Sequence, residues 1–258
     1  MIVVKFTGGL GNQMYQYALL CMLKKKYPDI DVLADISMYY ALDLHYGFEL
    51  DRIFALRERG KLQIATNKQL YDVRREIPFW GGRIGKIMQL PVSWLNARIR
   101  PSAEKKGLRN VIAEEAEPWN GNIEKIKYAI DHLDEDKNWY LDGYWQHEEY
   151  FEEALSEVVV NYKFPEPDTQ QEKDACRQIT ETNSVSVHVR RGDYVNSKYD
   201  ILGLSYYREA ITYIQQNVEN PVFFFFSEDT KYVEENFAWL TDKVIVDFNK
   251  GKNSYRDM

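Results

Sequence analysis

The sequence predicts an α/β protein with parallel sheets, because strand-like and helix-like segments alternate along the chain. The length of 258 residues favours two domains, and 45% hydrophobic with 28% charged residues is typical of a packed globular protein. Short β-branched or aromatic runs predict buried strands at residues 2–6, 31–36, 184–189, 222–227 and 243–248.

A glycine-rich turn, GGLG at residues 8–11, joins the first predicted strand to the first predicted helix. Apolar residues recur at helical spacing from Met14 to Cys21, and Asn12 is predicted to cap the start of this helix. The turn is either a ligand loop, whose backbone N–H groups face an anion or polar substrate, or a structural turn. It does not match the dinucleotide fingerprint, since Met14 stands where the third glycine would be, and it is not a P-loop, since no Gly-Lys-Ser/Thr follows.

The second half of the chain repeats the same alternation. Apolar spacing predicts a helix over residues 206–218, between the strands at 184–189 and 222–227. The sequence FPEPD at residues 164–168 carries two prolines, which break helix and sheet alike. We therefore expect one domain over residues 1–164 and a second over residues 165–258.

The sequence HVRRGDY at residues 188–194 follows a predicted strand. In open α/β sheets, ligands bind at the carboxyl ends of strands, where a guanidinium suits the oxygens of a diphosphate. Neighbouring strand residues point to opposite faces, so one of Arg190 and Arg191 is expected to face the ligand. The alternative is a surface ion pair with Asp193. For a lone histidine such as His188, a buried core position is the favoured interpretation.

The predicted strand at residues 222–227 is followed by two acidic residues, in the sequence FSED at residues 226–229. A carboxylate at Asp229 could accept from the two donors on the guanine edge, N1–H and the amino group. Asp229 is equally suited to cap the helix that follows. Both interpretations stay open.

Composition excludes several classes of protein. The 33 basic and 40 acidic residues give a net charge of −7, so nucleic acid is not an expected partner. No apolar run approaches the ~20 residues of a membrane span. Cys21 and Cys176 give neither a disulfide framework nor a zinc pattern, and the N-terminus reads as a strand rather than a signal peptide. We expect a cytoplasmic protein.

Two further patterns could mark a binding site or could be ordinary solvent-exposed surface. Asp-x-Asp occurs at residues 29–31 and 134–136 and could hold a divalent metal on a diphosphate, although surface acids are the favoured interpretation. Residues 81–109 hold seven lysines or arginines and one acid, together with Met88 and Trp94. This segment could lie on an anionic membrane surface or hold an acceptor; a solvated insertion is favoured.

Four segments together resemble the motifs of the α-1,2-fucosyltransferases, glycosyltransferase family 11. They are GGLGNQMYQYA at residues 8–18, GYWQHEEYF at 143–151, HVRRGDYV at 188–195 and FSED at 226–229. The likeness covers nearly the whole chain, with Tyr15 where phenylalanine is usual. Residues 253–258 correspond to the beginning of the family's third motif, so the resemblance predicts a second domain that is incomplete at its C-terminus.

The resemblance implies a GT-B-type fold of two Rossmann-like domains facing across a cleft. Residues 1–164 would form the acceptor side and residues 165–258 the donor domain. It also implies inverting transfer of L-fucose from GDP-β-L-fucose to the 2-hydroxyl of a galactose, in a cell-surface polysaccharide or an oligosaccharide that is free or lipid-linked. No metal and no cofactor are expected, because GDP-fucose is a co-substrate. Apart from the resemblance, the basic segment at residues 81–109 is the reason why a peripheral contact with the inner membrane is kept among the expected partners.

On this basis Arg190 and Asp193 are the predicted catalytic residues. Arg190 would stabilise negative charge on the β-phosphate, whereas an arginine beside Asp193 would lower the pKa of that carboxylate and make it a poor base. The predicted donor-binding residues are Gly9, Gly11, Asn12, His188, Arg190, Ser227 and Asp229. Two alternatives remain, a metal-dependent transferase of another sugar nucleotide and a non-catalytic module that binds a nucleotide or glycan.

Overall fold

A computed structural model describes residues 1–41, 46–77, 82–107, 109–114, 123–195, 197 and 202–258. The chain divides into two compact units, Met1–Phe164 and Pro165–Met258. Each unit contains a parallel sheet with helices, so the predicted α/β class is confirmed. Among the described residues, no helix combines the length and hydropathy that a membrane span requires.

A four-stranded parallel sheet forms the centre of the first unit. Val3 of the first strand pairs with Leu33 on one side and with Tyr140 on the other, and all three are buried. The strands are short and mostly apolar, as buried parallel strands usually are. They are β1 (Ile2–Lys5), β2 (Val32–Asp35), β3 (Asn110–Ala113) and β4 (Trp139–Asp142), in the spatial order β2-β1-β4-β3.

The described helices of this unit follow the strands and the loops between them. They are α1 (Leu10–Lys26), α2 (Ser37–Ala41), α3 (Glu49–Phe54), α4 (Asn67–Arg74), α5 (Gly82–Lys105), α6 (Ile123–Asp131) and α7 (Leu155–Asn161).

The helix α1 begins earlier than the sequence predicts. Gly9, in an extended conformation, is its N-cap and supplies no side-chain hydrogen bond. Asn12 is therefore the third residue of the helix, and the prediction that it caps α1 is wrong. Three lysines in the last turn lie at the negative end of the helix dipole, as expected.

The second unit contains a three-stranded parallel sheet. Phe223 and Phe225 of its central strand are buried and pack with Tyr207, Ile211 and Phe237. In the spatial order of the sheet, the strands are β5 (Asn183–His188), β6 (Pro221–Phe226) and β7 (Lys243–Val246). The described helices are α8 (Gln170–Glu181), α9 (Leu204–Asn217) and α10 (Thr230–Asn236).

Candidate active site

The carboxyl ends of β5 and β6 lie side by side because the two strands pair in parallel from Asn183 to His188. Past the strand, the N–H of Val189 donates to the carbonyl of Phe226 at 2.9 Å. The hydroxyl of Ser227 donates to the carbonyl of Val189 at 2.7 Å. These bonds bring the turns that carry the RRGD and SED sequences together at one edge of the sheet.

Arg190 is bound by an acid that sequence analysis did not assign. Its Nη1 donates to Oε1 of Glu228 at 2.5 Å, and its guanidinium lies 5.1 Å from the centre of the Tyr194 ring. The Arg190 side chain is 40% exposed. A cation in this position can contact a ligand from solvent while a carboxylate fixes its direction. The signal for Glu228 was its place directly after a buried strand.

Arg191 has a different environment. Its guanidinium stacks 4.0 Å from the centre of the Tyr232 ring, and its Nε is 3.8 Å from Oδ2 of Asp229. The expectation that the two arginines alternate across a strand is wrong, because β5 ends at His188 and both arginines lie in the turn beyond it. Both reach the turn that follows β6.

Ser227 and Asp229 already have bonding partners within the unit. The Ser227 hydroxyl accepts from the N–H of Asp229 at 3.1 Å as well as donating to Val189. Asp229 is the N-cap of α10, and its Oδ1 accepts from the N–H of Tyr232 at 3.0 Å. The capping interpretation of Asp229 therefore describes this geometry, and Oδ2 remains directed toward Arg191.

His188 and Asp193 are the other predicted residues of this unit. His188 is exposed, so its interpretation as a buried core histidine is wrong: its side chain shares the face of β5 that carries Ser184 and Ser186, and both of these are exposed as well. Its carbonyl accepts from the Tyr207 hydroxyl at 3.4 Å. Asp193 lies in a short 3₁₀ turn, Gly192–Tyr194, and its side chain lies outside the described part of the chain.

Among the described residues, no group of three or more histidine, cysteine, aspartate or glutamate side chains is arranged so that it could hold a metal ion. Both Asp-x-Asp patterns lie on exposed turns. In the second, Asp134 pairs with Lys137 at 2.7 Å and accepts from the N–H of Asp136 at 3.2 Å. These contacts are those of a surface turn.

The first unit has a second group of candidate residues, at the centre of its sheet. From β1 the chain passes to β2 on one side of β1, whereas β3 and β4 lie on the other side of β1. The direction in which strands are added therefore reverses between β1 and β4. In open α/β sheets this reversal is where ligands bind, outside the carboxyl ends. The glycine-rich turn follows β1, and the GYWQ sequence at residues 143–146 follows β4. Lys5 and Asp142 pair at 2.8 Å between the two strand ends.

Asn12 joins these two turns. Its Oδ1 accepts from Nε2 of Gln146 at 2.6 Å. The amide nitrogen of Asn12 therefore points away from Gln146, toward Gly8. Gly8 has a φ of +80°, and a Cβ there would overlap the Asn12 side chain. The glycine turn is therefore shaped around Asn12, a relation that local sequence does not reveal.

Two buried glutamines of α1 hold the surrounding loops, and sequence analysis gave them no role. Gln13 donates to the carbonyls of Gly8 and Gly47 at 3.1 and 3.0 Å. Gln16 accepts from the N–H of Thr7 at 3.0 Å and donates to the carbonyl of Gly143 at 3.1 Å. Buried amides require such partners. Their signal in the sequence was polarity on a helix with an otherwise apolar buried face.

The structure gives different reasons for glycine at positions 9 and 11. Gly9 is the extended N-cap residue of α1. Gly11 is exposed within the helix, has a φ that any residue adopts, and a Cβ there would meet no atom within 4 Å. Nothing in the described chain requires glycine at position 11, which leaves close approach of a ligand as a physical reason.

Trp145 has a strained backbone and a buried side chain, whereas its two neighbours in sequence have exposed side chains. Its φ is +59°, in a region that bulky residues rarely adopt, and its indole N–H is buried without a hydrogen-bond partner among the described residues. Glu114, directly after β3, accepts from the N–H groups of Tyr144 and Trp145 at 2.8 and 2.6 Å. Burial raises the pKa of Tyr150, which packs against Trp145, and the charge of Glu114 raises that pKa further. The turn leaves Tyr144 and Gln146 facing solvent.

Comparison with known proteins identifies the family to which this chain belongs. The family model described as glycosyl transferase family 11 matches residues 1–257. An Escherichia coli protein named alpha-1,2-colitosyltransferase is 30% identical over 278 aligned residues, covering 100% of this chain and 79% of that protein. The Escherichia coli O-antigen biosynthesis glycosyltransferase WbnK is 25% identical, covering 98% of this chain and 80% of that protein. The chain belongs to glycosyltransferase family 11.

Solved structures agree in fold. The fucosyltransferase NodZ from Bradyrhizobium superimposes with a TM-score of 0.53 at 14% identity, covering 99% of this chain and 80% of that chain. A structure of NodZ alpha-1,6-fucosyltransferase co-crystallized with GDP gives a TM-score of 0.54, also at 14% identity, covering 99% of this chain and 83% of that chain. The predicted GT-B-type class is confirmed by this likeness.

Proposed function

We propose that the protein transfers L-fucose from GDP-β-L-fucose to the 2-hydroxyl of a galactose in a glycan, with inversion. Family membership supports glycosyl transfer, and a 30% identical relative named for an α-1,2 linkage supports the linkage. The observation that carries the proposal is Arg190, which reaches solvent at the carboxyl ends of β5 and β6.

In this proposal the second unit binds GDP. The β-phosphate takes the place of Glu228 on the Arg190 guanidinium, which offers two parallel N–H donors. Ser227 and Asp229 contact the nucleoside, as the sequence analysis predicts, and His188 contributes to the same edge. Because both Arg190 and Arg191 are bound to acids in the described structure, the bound nucleotide must compete with an internal carboxylate for Arg190.

The reaction is a single displacement at the anomeric carbon. The acceptor hydroxyl oxygen forms the new bond as the bond to the diphosphate breaks, and the electron pair of that bond goes to the β-phosphate oxygen. Arg190 stabilises this charge more strongly in the transition state than in the ground state. The acceptor hydroxyl loses its proton to a base. Asp193 is the carboxylate nearest to Arg190 in sequence, but an arginine beside it would make it a poor base, so the role is assigned to no residue.

The first unit is proposed to hold the acceptor and to contact the sugar of the donor through Gly9, Gly11 and Asn12. Gln146 holds the Asn12 amide, and the exposed ring of Tyr144 lies two residues away in sequence. An aromatic face beside amide groups suits a sugar, which has apolar C–H faces and hydroxyl groups.

We propose that the reaction needs no metal and occurs in the cytoplasm. The guanidinium of Arg190 supplies the positive charge that a divalent ion would supply in other sugar-nucleotide transferases. Both cysteines, Cys21 and Cys176, are free thiols, which suits a reducing compartment. Transfer should continue unchanged in excess chelator, and its loss would favour the metal-dependent alternative.

A colitose donor is the second candidate, because the 30% identical relative is named a colitosyltransferase. Colitose is L-fucose without its 3-hydroxyl. A site that hydrogen-bonds this hydroxyl rejects the sugar that lacks it by ~10⁴-fold, whereas an apolar pocket discriminates far less. Comparing GDP-fucose and GDP-colitose as donors at equal concentration separates the two.

The test uses labelled GDP-fucose with a set of galactose-terminated acceptors, free and lipid-linked, and linkage analysis of the product. A matched acceptor that lacks the 2-hydroxyl is the control. The proposal requires an α-1,2 product and no transfer to the 2-deoxy acceptor. Binding of GDP without any transfer, on every acceptor, would instead identify a non-catalytic module.

A further inference from the structure

The helix α5 carries a stripe of apolar residues on a side that faces solvent. The exposed fractions are 75% for Ile87, 82% for Leu90 and 58% for Trp94. These residues are spaced by three and four, so they form one stripe along the helix. A helix on the surface of a globular domain normally shows the reverse pattern.

The opposite side of α5 is the one that contacts the protein. Val92 and Asn96 are buried, and at 100° per residue they lie about 160° and 200° from Trp94. The Asn96 side chain accepts from the N–H of Ile77 at 2.7 Å and donates to the carbonyl of Ile77 at 2.8 Å. The apolar stripe is therefore fixed facing outward by a polar anchor.

Positive charge accompanies the stripe. Residues 81–109 carry seven lysines or arginines and one acid, a balance of +6 in a chain whose net charge is −7. The Arg98 guanidinium lies 3.7 Å from the centre of the Trp94 ring, one turn along the same side. Tryptophan, aliphatic residues and basic residues on one side of a helix are the composition of helices that lie in a bilayer interface.

We propose that the stripe formed by Ile87, Leu90, Trp94 and Arg98 is a docking surface for an anionic lipid bilayer. The helix lies along the membrane, with its apolar side chains among the acyl chains and its basic residues at the headgroups. A second copy of this chain is a poorer occupant, because a symmetric contact would place two segments of charge +6 against each other. This inference is independent of the donor and the reaction.

The test is cosedimentation of the intact chain with vesicles, without any donor or acceptor. Vesicles of phosphatidylcholine alone are compared with vesicles containing equal parts phosphatidylcholine and phosphatidylglycerol. The wild-type chain should bind the anionic vesicles and should not bind the neutral ones. Binding to the anionic vesicles should weaken as the salt concentration is raised. Leu90→Gln should lower the partition coefficient about tenfold, equivalent to ~1.4 kcal/mol.

The matched control is Val160→Gln, since Val160 of α7 is 71% exposed and lies in the same unit outside the stripe. It should bind as the wild type does. Trp94→Phe should keep most of the binding but remove the blue shift of tryptophan emission on anionic vesicles, which shows that this residue enters the interface.

Three results would overturn the proposal. They are equal binding to neutral and anionic vesicles, equal losses in Leu90→Gln and Val160→Gln, and no binding by a wild-type chain that is folded by circular dichroism. Self-association that Leu90→Gln abolishes, without any vesicle binding, would assign the stripe to a second copy instead.

Discussion

At the residue scale, Arg190 and Glu228 are 38 positions apart in sequence and joined by a 2.5 Å hydrogen bond. A carboxylate on the proposed catalytic arginine keeps the guanidinium in one direction before the donor arrives. It also means that a bound diphosphate replaces one anion by another, so the affinity for GDP measures a difference between two ion pairs rather than the strength of one.

Arg190→Lys should lower turnover more than tenfold, which corresponds to ~1.4 kcal/mol of transition-state stabilisation, because lysine keeps the charge but loses the two-pronged geometry. Steady-state rates at saturating GDP-fucose measure this effect. Arg177→Lys is the control, since Arg177 is an exposed arginine paired with Asp174 in the same unit. Turnover within about threefold of the wild type would remove Arg190 from the mechanism.

Asp229→Asn separates the two roles that remain open for Asp229. Asparagine caps a helix about as well as aspartate, so α10 should keep its stability. If the carboxylate binds the guanine edge, affinity for GDP should fall while affinity for pyrophosphate stays the same. Calorimetric titration with both ligands measures this difference, and unchanged GDP affinity would leave Asp229 as a cap only.

Gly11→Ala should stabilise the protein and impair its function. Alanine in a helix is favoured over glycine by roughly 0.5–1 kcal/mol, and the added Cβ meets no atom of the described chain. A ligand that approaches the backbone at this position would meet that Cβ. Thermal unfolding and the KM for donor and acceptor test the two effects, and unchanged KM values would show that the turn is structural.

At the element scale, α8 begins with a capping box formed by Thr169 and Glu172. Arg256, in the 3₁₀ turn Gly251–Asp257, also binds the Glu172 side chain. Oε2 of Glu172 accepts from the N–H groups of Asp168 and Thr169 at 2.9 and 3.0 Å. Arg256 donates to the same carboxylate at 3.1 and 3.2 Å. The N–H bond from Thr169 is the largest cause that lowers the pKa of Glu172 to about 2.

The pKa of Glu172 predicts an acid-sensitive contribution to stability. A carboxylate with a lowered pKa stabilises the fold above its unfolded value, near 4.5, and this stabilisation is lost as pH falls toward about 2. Glu172→Gln should show a flatter decrease in unfolding temperature between pH 5 and pH 3 than the wild type. Glu181→Gln, at the exposed end of the same helix, should decrease as the wild type does; matching curves for all three proteins would contradict the assignment.

Sequence patterns predicted the elements better than the contacts at their ends. Alternating apolar runs located β1, β2 and the three strands of the second unit within one or two residues, because buried parallel strands have a strong local signal. They misplaced Asn12 and His188, whose positions depend on where α1 begins and where β5 ends. Glu228, Gln146 and Glu114 could not be assigned, since each acts on a residue more than 25 positions away.

At the scale of the whole molecule, each unit has its own sheet and its own group of strand-end residues. The proposed roles therefore predict separate responses to two ligands. GDP should slow amide exchange in residues 189–195 and 227–232 of the second unit. GDP-fucose should add protection in residues 7–12 of the first unit, because only this ligand carries the sugar.

Hydrogen exchange with mass spectrometry on the intact chain measures both responses. Residues 243–246 are a reference, since they form β7 away from both groups of residues. Protection of residues 7–12 by GDP alone, with none in the second unit, would reverse the assignment of donor and acceptor sides.

The bond between Asn12 and Gln146 also ties this end of the site to the assembly of the whole first sheet. The two residues are 134 positions apart, and they meet only after β4 has entered the sheet beside β1. Such a contact needs a long loop to close, and no helix or hairpin alone can form it. The strand-end turns of the second unit meet over a shorter loop, since Arg190 and Glu228 are 38 positions apart. The amide pair at the sheet centre therefore depends on nearly the entire first unit, and the ion pair of the second unit does not.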